Sequence, residues 1–258
     1  MIEINTDNYN NLEKILRDQN LEKRFQSFST ILVKPNLVHL RSPETGTITH
    51  PDSLKEVLRY LQSFYNGRVI IGESSSYSEK NIGAIFKLGG LDKIQKEFPG
   101  VEVINLRKYP HEPVDFHGQY LKEISLPSGI GDWGILNLAK MKEHWITGIT
   151  AAVKNLVGLM QDPRIIHDYP VHRKNIEIHE RIADLYLSIC KNIVLNIVDG
   201  VIGMRGGQVD GTTIYPGKIM IGTDAVSIDK KVRDYFKLSD GNPKYLEIIG
   251  NAQEGGIL

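Results

Sequence analysis

Thr30-Ile-Leu-Val-Lys34-Pro35 is followed by Pro51-Asp-Ser-Leu-Lys-Glu-Val-Leu-Arg-Tyr-Leu61 and then by Arg68-Val-Ile-Ile-Gly-Glu73, and this order decides the fold class. The first stretch is a short aliphatic run that Pro35 must end, because proline brings no N–H to a sheet ladder. The second carries Leu54, Val57, Leu58 and Leu61 at helical spacing, with Pro51 suited to the first helical position and Gly67 closing the segment. The third is again strand-like. Strand, helix and strand within about forty residues make the βαβ unit of a parallel sheet.

The same alternation extends in both directions. Upstream, Asn8 to Phe28 reads as helical, with Leu12, Ile15 and Leu16 as one apolar set, Leu21 and Phe25 as a second, and Asp7 as the N-cap. Downstream, Ser74 to Ser78 form a loop and Ile82 to Phe98 a helix broken near Gly89-Gly90. Val101-Glu-Val-Ile-Asn105 is a strand, Lys108 to Ser128 a less regular segment suited to an antiparallel hairpin, and Asp132-Trp-Gly-Ile-Leu-Asn-Leu-Ala139 a buried strand running into Lys140. Leu185 to Ile189 end a helix, Ile193-Val-Leu-Asn-Ile-Val-Asp199 is a strand, and Ser239-Asp-Gly-Asn-Pro243 is a turn between two C-terminal helices. The expectation is one α/β domain over residues 1–258, or two closely packed lobes. It has a mostly parallel sheet and helices on both faces.

Composition narrows the function. Lys plus Arg and Asp plus Glu both number 31, so the basic excess of a nucleic-acid binder is missing. Apolar runs such as Ile193 to Val198 fall far short of the ~20 residues of a membrane span, and the N-terminal segment does not read as a secretory signal, which leaves the cytoplasm as the expected compartment. Cys190 is the sole cysteine, so this chain by itself forms no internal disulfide and holds no four-cysteine iron–sulfur cluster; the residue reads as a buried thiol.

In open α/β sheets ligands bind beyond the carboxyl ends of the strands. Four strand ends here deliver polar groups: Lys34-Pro-Asn36, Glu73-Ser-Ser-Ser76, Lys140-Met-Lys142-Glu-His144 and Asp199-Gly200. Each has a plainer alternative. Lys34 could be a surface lysine, Glu73 a cap of its own turn, and Lys140 with Lys142 a solvated basic loop. In extended backbone Lys140 and Lys142 share a face, and two ammonium groups held close call for an anion. His50, beside Thr49 and at a helix start, is placed to meet an anion or metal, to exchange protons, or simply to pack. Lys154 and Asn155 lie in the mostly apolar segment Thr150 to Gly158, where a lysine needs a partner or a ligand. His167 could close over the site from a loop containing Asp162-Pro163. The glycine-rich stretch Gly203 to Gly211 fits neither phosphate-loop pattern and reads as a flexible or ligand-contacting loop. No G-x-S-x-G, H-E-x-x-H or C-x-x-C occurs, which removes the serine hydrolase, zincin and thioredoxin-like readings.

Val33-Lys-Pro-Asn-Leu37, Thr49-His-Pro51 and Ile71-Gly-Glu-Ser74 together resemble the N-terminal signature of the family called domain of unknown function 362. Leu138-Ala-Lys-Met-Lys-Glu-His144, Ala152-Val-Lys-Asn-Leu-Val-Gly158 and Val198-Asp-Gly200 resemble its middle block, and Thr223-Asp-Ala-Val-Ser-Ile-Asp229 its C-terminal block. The blocks keep their order from about Ile31 to Gly256. The resemblance implies no assigned activity. Many members carry an appended ferredoxin-like module, which would link them to redox chemistry; with Cys190 alone this chain lacks it. Where members usually have Asp after the second strand's Gly, Glu73 stands here.

Three functions follow as expectations. The first is an enzyme acting on a small anionic metabolite, a carboxylate or phosphate. In it His50, His144, Lys142 and Lys154 are the catalytic candidates, while Lys34, Asn36, Thr49, Ser74, Lys140 and Asn155 bind substrate. Glu73 and Asp199 would orient a histidine or hold a divalent metal that comes with the anion. The second is a non-catalytic metabolite binder using the same pocket. The third is a redox partner of a separate iron–sulfur protein. Neither nucleic acid nor membrane is expected as a partner, and homo-oligomerisation is left open.

Overall fold

The computed structural model describes residues 1–74, 81–114, 116, 118–121, 123–161, 166, 177–239 and 242–254. In chain order come strand β1 (Ile2–Asn5), helices α1 (Leu12–Arg17) and α2 (Glu22–Gln26), strand β2 (Thr30–Lys34), helix α3 (Pro51–Gln62) and strand β3 (Arg68–Glu73). Helices α4 (Ile82–Leu88) and α5 (Leu91–Glu97) lead to β4 (Val101–Asn105), the hairpin β5 (His111–Val114) and β6 (Ile124–Pro127), and the long strand β7 (Trp133–His144). Then follow β8 (Gly148–Thr150), the one-turn helix α6 (Ala152–Asn155), helix α7 (Ile178–Ile189), the long strand β9 (Ile193–Arg205), β10 (Thr212–Ile214), β11 (Lys218–Gly222), and helices α8 (Ala225–Phe236) and α9 (Tyr245–Glu254).

The central sheet has the order β1-β11-β9-β7-β2-β3-β4, with β8 and β10 added to the far ends of β7 and β9. β9, β7, β2, β3 and β4 run parallel, whereas β1, β11, β8 and β10 pair antiparallel. Alternation along the central strands feeds two cores. Ile31 and Val33 join Leu136, Leu138 and Ile197 under α1 and α3, while Leu32 and Ile70 join Ile135, Ala139 and Val198 under α7, α8 and α9. A single sheet therefore separates two apolar layers, which is the α/β arrangement expected from the βαβ pattern.

Four local expectations need correction. Asn8 to Phe28 is two short helices, separated where Asn20 takes a left-handed conformation at φ 53°. Asn11 precedes the first of them, so Asp7 is not its cap. The strand at 132–139 continues to His144, because β9 runs alongside it as far as the Lys142–Met204 pair and β8 closes its other edge. β9 likewise runs on to Arg205, so only the first three residues of the glycine-rich stretch are strand, and 206–211 form the loop that leads into β10. β1 is too short for its Ile2/Ile4 alternation to stand out, and it is defined by its pairing with β11. Cys190 is half-buried at the end of α7 rather than fully enclosed. Ser75 to Ser78, His167 with the loop before it, and Asp240-Gly241 lie outside the described residues.

Candidate functional site

β2 ends at Lys34, opposite Asn137, while β7 continues for seven more residues. The chain from Pro35 to His50 fills the step that this leaves. Thr49 pins it there: its N–H donates to Asn36 O (2.9 Å) and its hydroxyl to Leu138 O (3.2 Å), and the hydroxyl accepts from Asn36 N (2.8 Å). Parity along β7 then sets the chemistry. Lys140, Lys142 and His144 follow Leu136 and Leu138 on one face, and Lys140 stands directly across from Asp199 of β9.

Two buried ion pairs result. Lys34 Nζ donates to Glu73 Oε2 at 2.7 Å and to Pro35 O at 2.7 Å; Glu73 also accepts from Leu37 N (3.1 Å) and Ser74 N (2.8 Å). Lys140 Nζ donates to Asp199 Oδ2 at 3.0 Å, and Asp199 accepts further from Val201 N and from the hydroxyl of Tyr9 at 3.0 and 3.1 Å. Buried pairs of this kind hold only when further hydrogen bonds support them, and both carboxylates here accept additional N–H or O–H donors. Burial holds the Lys34 ammonium below its ordinary range despite Glu73, and burial beside Asp199 pushes the Tyr9 phenol far up.

Between the pairs runs a ladder of amides. Asn36 Nδ2 donates to Asn155 Oδ1, Asn155 Nδ2 to Asn137 Oδ1, and Asn137 Nδ2 to Asn196 Oδ1, each at 2.8 Å. Lys142 sits at one end, donating to Asn36 Oδ1 (2.9 Å) and Thr47 O (2.7 Å). Both acceptors are neutral, and no carboxylate pairs with this lysine among the described residues. Burial, then the neighbouring charges of Lys140 and Lys154, drive its pKa well below 10.5. Lys154, on α6, makes no hydrogen bond or ion pair among the described residues, and burial lowers it to about 8. Asp229 anchors α6 by accepting from Ala152 N (2.7 Å) and Val153 N (3.1 Å), with Tyr245 OH donating to it at 3.1 Å.

The two histidines sit differently from the lysines. His50 caps α3, accepting from Asp52 N through Nδ1 at 3.2 Å, and stacks on Tyr9 with centroids 5.0 Å apart. It thereby touches the Lys140–Asp199 pair through Tyr9. His144 accepts through Nδ1 from Ile146 N (3.1 Å) and Thr147 N (3.2 Å) and so shapes the turn into β8. That nitrogen is engaged in the turn. Glu73 and Asp199 do not face one another: β9-β7-β2-β3 puts three strand spacings, about 14 Å, between them. In this structure each of them answers its own lysine. Among the described residues no group of three His, Cys, Asp or Glu side chains is suited to a metal ion.

Tyr9, Asn137, Asn196, Thr47 and Asp229 belong to this network and were not singled out from sequence. Asn137 and Asn196 did carry a signal, since each is an amide inside an otherwise apolar strand. Tyr9 carried none; only the fold brings it to Asp199. Tyr9→Phe should cost about 1.5–3 kcal/mol, the value of a hydrogen bond to a buried charge, read as a lower urea midpoint at unchanged slope. Elsewhere, a hollow of about 280 Å³ between α7 and α9 includes Asp184, whose carboxylate is taken up by the N–H groups of Gln119, Tyr120 and Leu121.

Residues 31–233 match domain of unknown function 362 (DUF362). This chain belongs to the DUF362 family. The match covers β2 through most of α8, and thus every strand end that builds the lysine cluster. The DUF362 chain is 24% identical over 216 residues to a thylakoid-associated protein of Synechocystis sp., covering 81% of this chain and 63% of that relative. It spans less than two thirds of the relative's length. Its fold resembles the lactate racemase apoprotein of Thermoanaerobacterium thermosaccharolyticum, with a TM-score of 0.51 and 14% identity over 91% of this chain and 56% of that one. That likeness is one of fold. Among the described residues no helix is long and apolar enough to cross a membrane.

Proposed function

We propose that the lysine cluster at the carboxyl edge of the sheet binds a small carboxylate or phosphate as part of an enzyme's active site. The supporting observation is the mismatch of four lysines with two carboxylates. Lys34 and Lys140 have Glu73 and Asp199, whereas Lys142 and Lys154 have no counter-charge among the described residues. Cations held together without anions raise one another's energy, and a bound anion relieves that strain. Preorganised cations also stabilise negative charge as it develops in a reaction. Amines whose basicity is brought toward neutrality can give and take protons at physiological pH, which supports catalysis over storage.

Titration with inorganic phosphate, with lactate and with pyruvate at low salt tests this reading by thermal shift. One of these anions should stabilise the protein, by about 2.7 kcal/mol at a hundredfold excess over Kd. Lys142→Met and Lys154→Met should both lose that stabilisation. No response to any anion, or an unchanged response in both variants, would refute the reading.

A further inference from the structure

We propose that Lys154 captures the carbonyl carbon of a small oxo-acid as an imine, with the substrate's carboxylate lying against Lys142. The inference rests on the anion reading above and names its substrate class: a 2-oxo or 3-oxo carboxylate.

Geometry separates Lys154 from the other three lysines. Lys34, Lys140 and Lys142 are 0% exposed and each spends its ammonium on at least one short hydrogen bond. Lys154 retains 8% exposure and has no partner among the described residues. A nucleophile needs a lone pair that nothing else engages. The side chain is also well mounted. α6 is tied at its start to Asp229, and its last residue, Asn155, is locked into the amide ladder through Asn36 and Asn137. The amine is thus presented from a rigid turn. Lys142 donates to Asn36, and Asn36 donates to Asn155, the residue beside Lys154, so a carboxylate taken up at this end of the amide ladder would meet a cation while its neighbouring carbonyl meets the amine.

His179 completes the arrangement. It lies on α7 with its buried Nδ1 unpartnered among the described residues, its ring tilted against Tyr245 at 5.8 Å, and close enough to Lys154 to feel its charge. The chemistry balances without another reagent. The Nζ lone pair forms a C–N bond to the carbonyl carbon, and the oxygen becomes a hydroxyl with a proton taken from that nitrogen. The second nitrogen proton then goes to the hydroxyl, which leaves as water while the C=N bond forms. Each transfer runs from nitrogen to oxygen. Burial supports the scheme by holding Lys154 at about 8, which leaves a fraction of it as free amine near neutral pH.

Borohydride trapping tests the proposal on the full chain. Pyruvate plus sodium borohydride should add one carboxyethyl group, seen by intact mass and mapped to the peptide containing Lys154. Lactate plus borohydride, which has the carboxylate but no carbonyl, should add nothing. Lys154→Met and Lys154→Arg should abolish the adduct while melting cooperatively, and Lys142→Met should raise the pyruvate concentration needed for half-maximal trapping. An adduct absent from wild type, retained in both Lys154 variants, or spread evenly over surface lysines would overturn imine capture. Should phosphate or lactate still stabilise the protein in that case, the anion reading survives and only the imine fails. If no anion stabilises it, the underlying reading fails as well.

Discussion

Glu73→Gln should lower the stability of the fold by about 3–5 kcal/mol, the usual consequence of removing one partner from a buried ion pair. Lys34 lies in the interior with its ammonium 2.7 Å from Glu73, and the carboxylate also holds the N–H groups of Leu37 and Ser74. A glutamine offers one oxygen where the carboxylate offered two, and its amide N–H₂ meets a donor. The loss has a ceiling. Lys34 can fold as the neutral amine, which at pH 7 costs at most about 5 kcal/mol against an unfolded pKa of 10.5. Lys34→Met combined with Glu73→Gln should recover most of the loss, because the stranded charge is then gone. Urea denaturation of the two single variants and the double variant gives the coupling energy. If the single and double variants are equally unstable, the pair does not stabilise the fold in the way described. Gly158 belongs to the same argument: a Cβ there would stand 2.7 Å from Lys34 Nζ, so no larger residue fits while the pair is intact.

The second large effect has the opposite sign. Lys154→Met should raise stability at pH 7 by about 3 kcal/mol. A buried ammonium held at about 8, against 10.5 in the unfolded chain, opposes folding by roughly that amount. The pH dependence follows from linkage. Between about pH 8 and 10.5 the unfolded chain binds more protons at this lysine than the folded one, so wild-type stability rises with pH across that window. The difference between variant and wild type should therefore be full below pH 8 and shrink toward pH 10.5. Lys142 on β7 and His179 on α7 feel the same charge. Replacing Lys154 relieves them too, and the gain at neutral pH then includes that relief. Denaturation at pH 7 and pH 9.5 measures both points. A destabilised variant, or a gain that grows with pH, would show that Lys154 is held by partners that stabilise its charge. Stability given up at a buried lysine is the trade-off expected of a functional side chain, and it is consistent with the imine capture proposed for Lys154.

The βαβ order, the strand β2 ended by Pro35 and the helix opened at Pro51 were legible because each follows from local chemistry: aliphatic runs, helical spacing and a missing N–H. The break between α4 and α5 was legible for the same reason, with Gly90 left-handed at φ 73°. Residues 140–144 were harder. Lys140 and Lys142 look like a polar loop, and only the long partner strand β9 makes that stretch extended and buried. The candidate site followed suit. Its lysines could be named from strand ends, but the pairing of Lys34 with Glu73 and of Lys140 with Asp199 depends on which strands are neighbours. The role of His144 turned on the β7–β8 turn, which no local pattern announced.

The sequence alone determined that this is an α/β chain of the DUF362 family with a lysine-rich carboxyl edge, because composition, periodicity and motif order are properties of short segments. Tertiary structure decided which lysines are neutralised and which are left over. Charge pairing in a buried network is set by contacts between residues far apart in the chain, such as Tyr9 with Asp199 and Asn36 with Asn155. Desolvation, which separates Lys154 from an ordinary surface lysine, exists only once the sheet and its helices have closed around it.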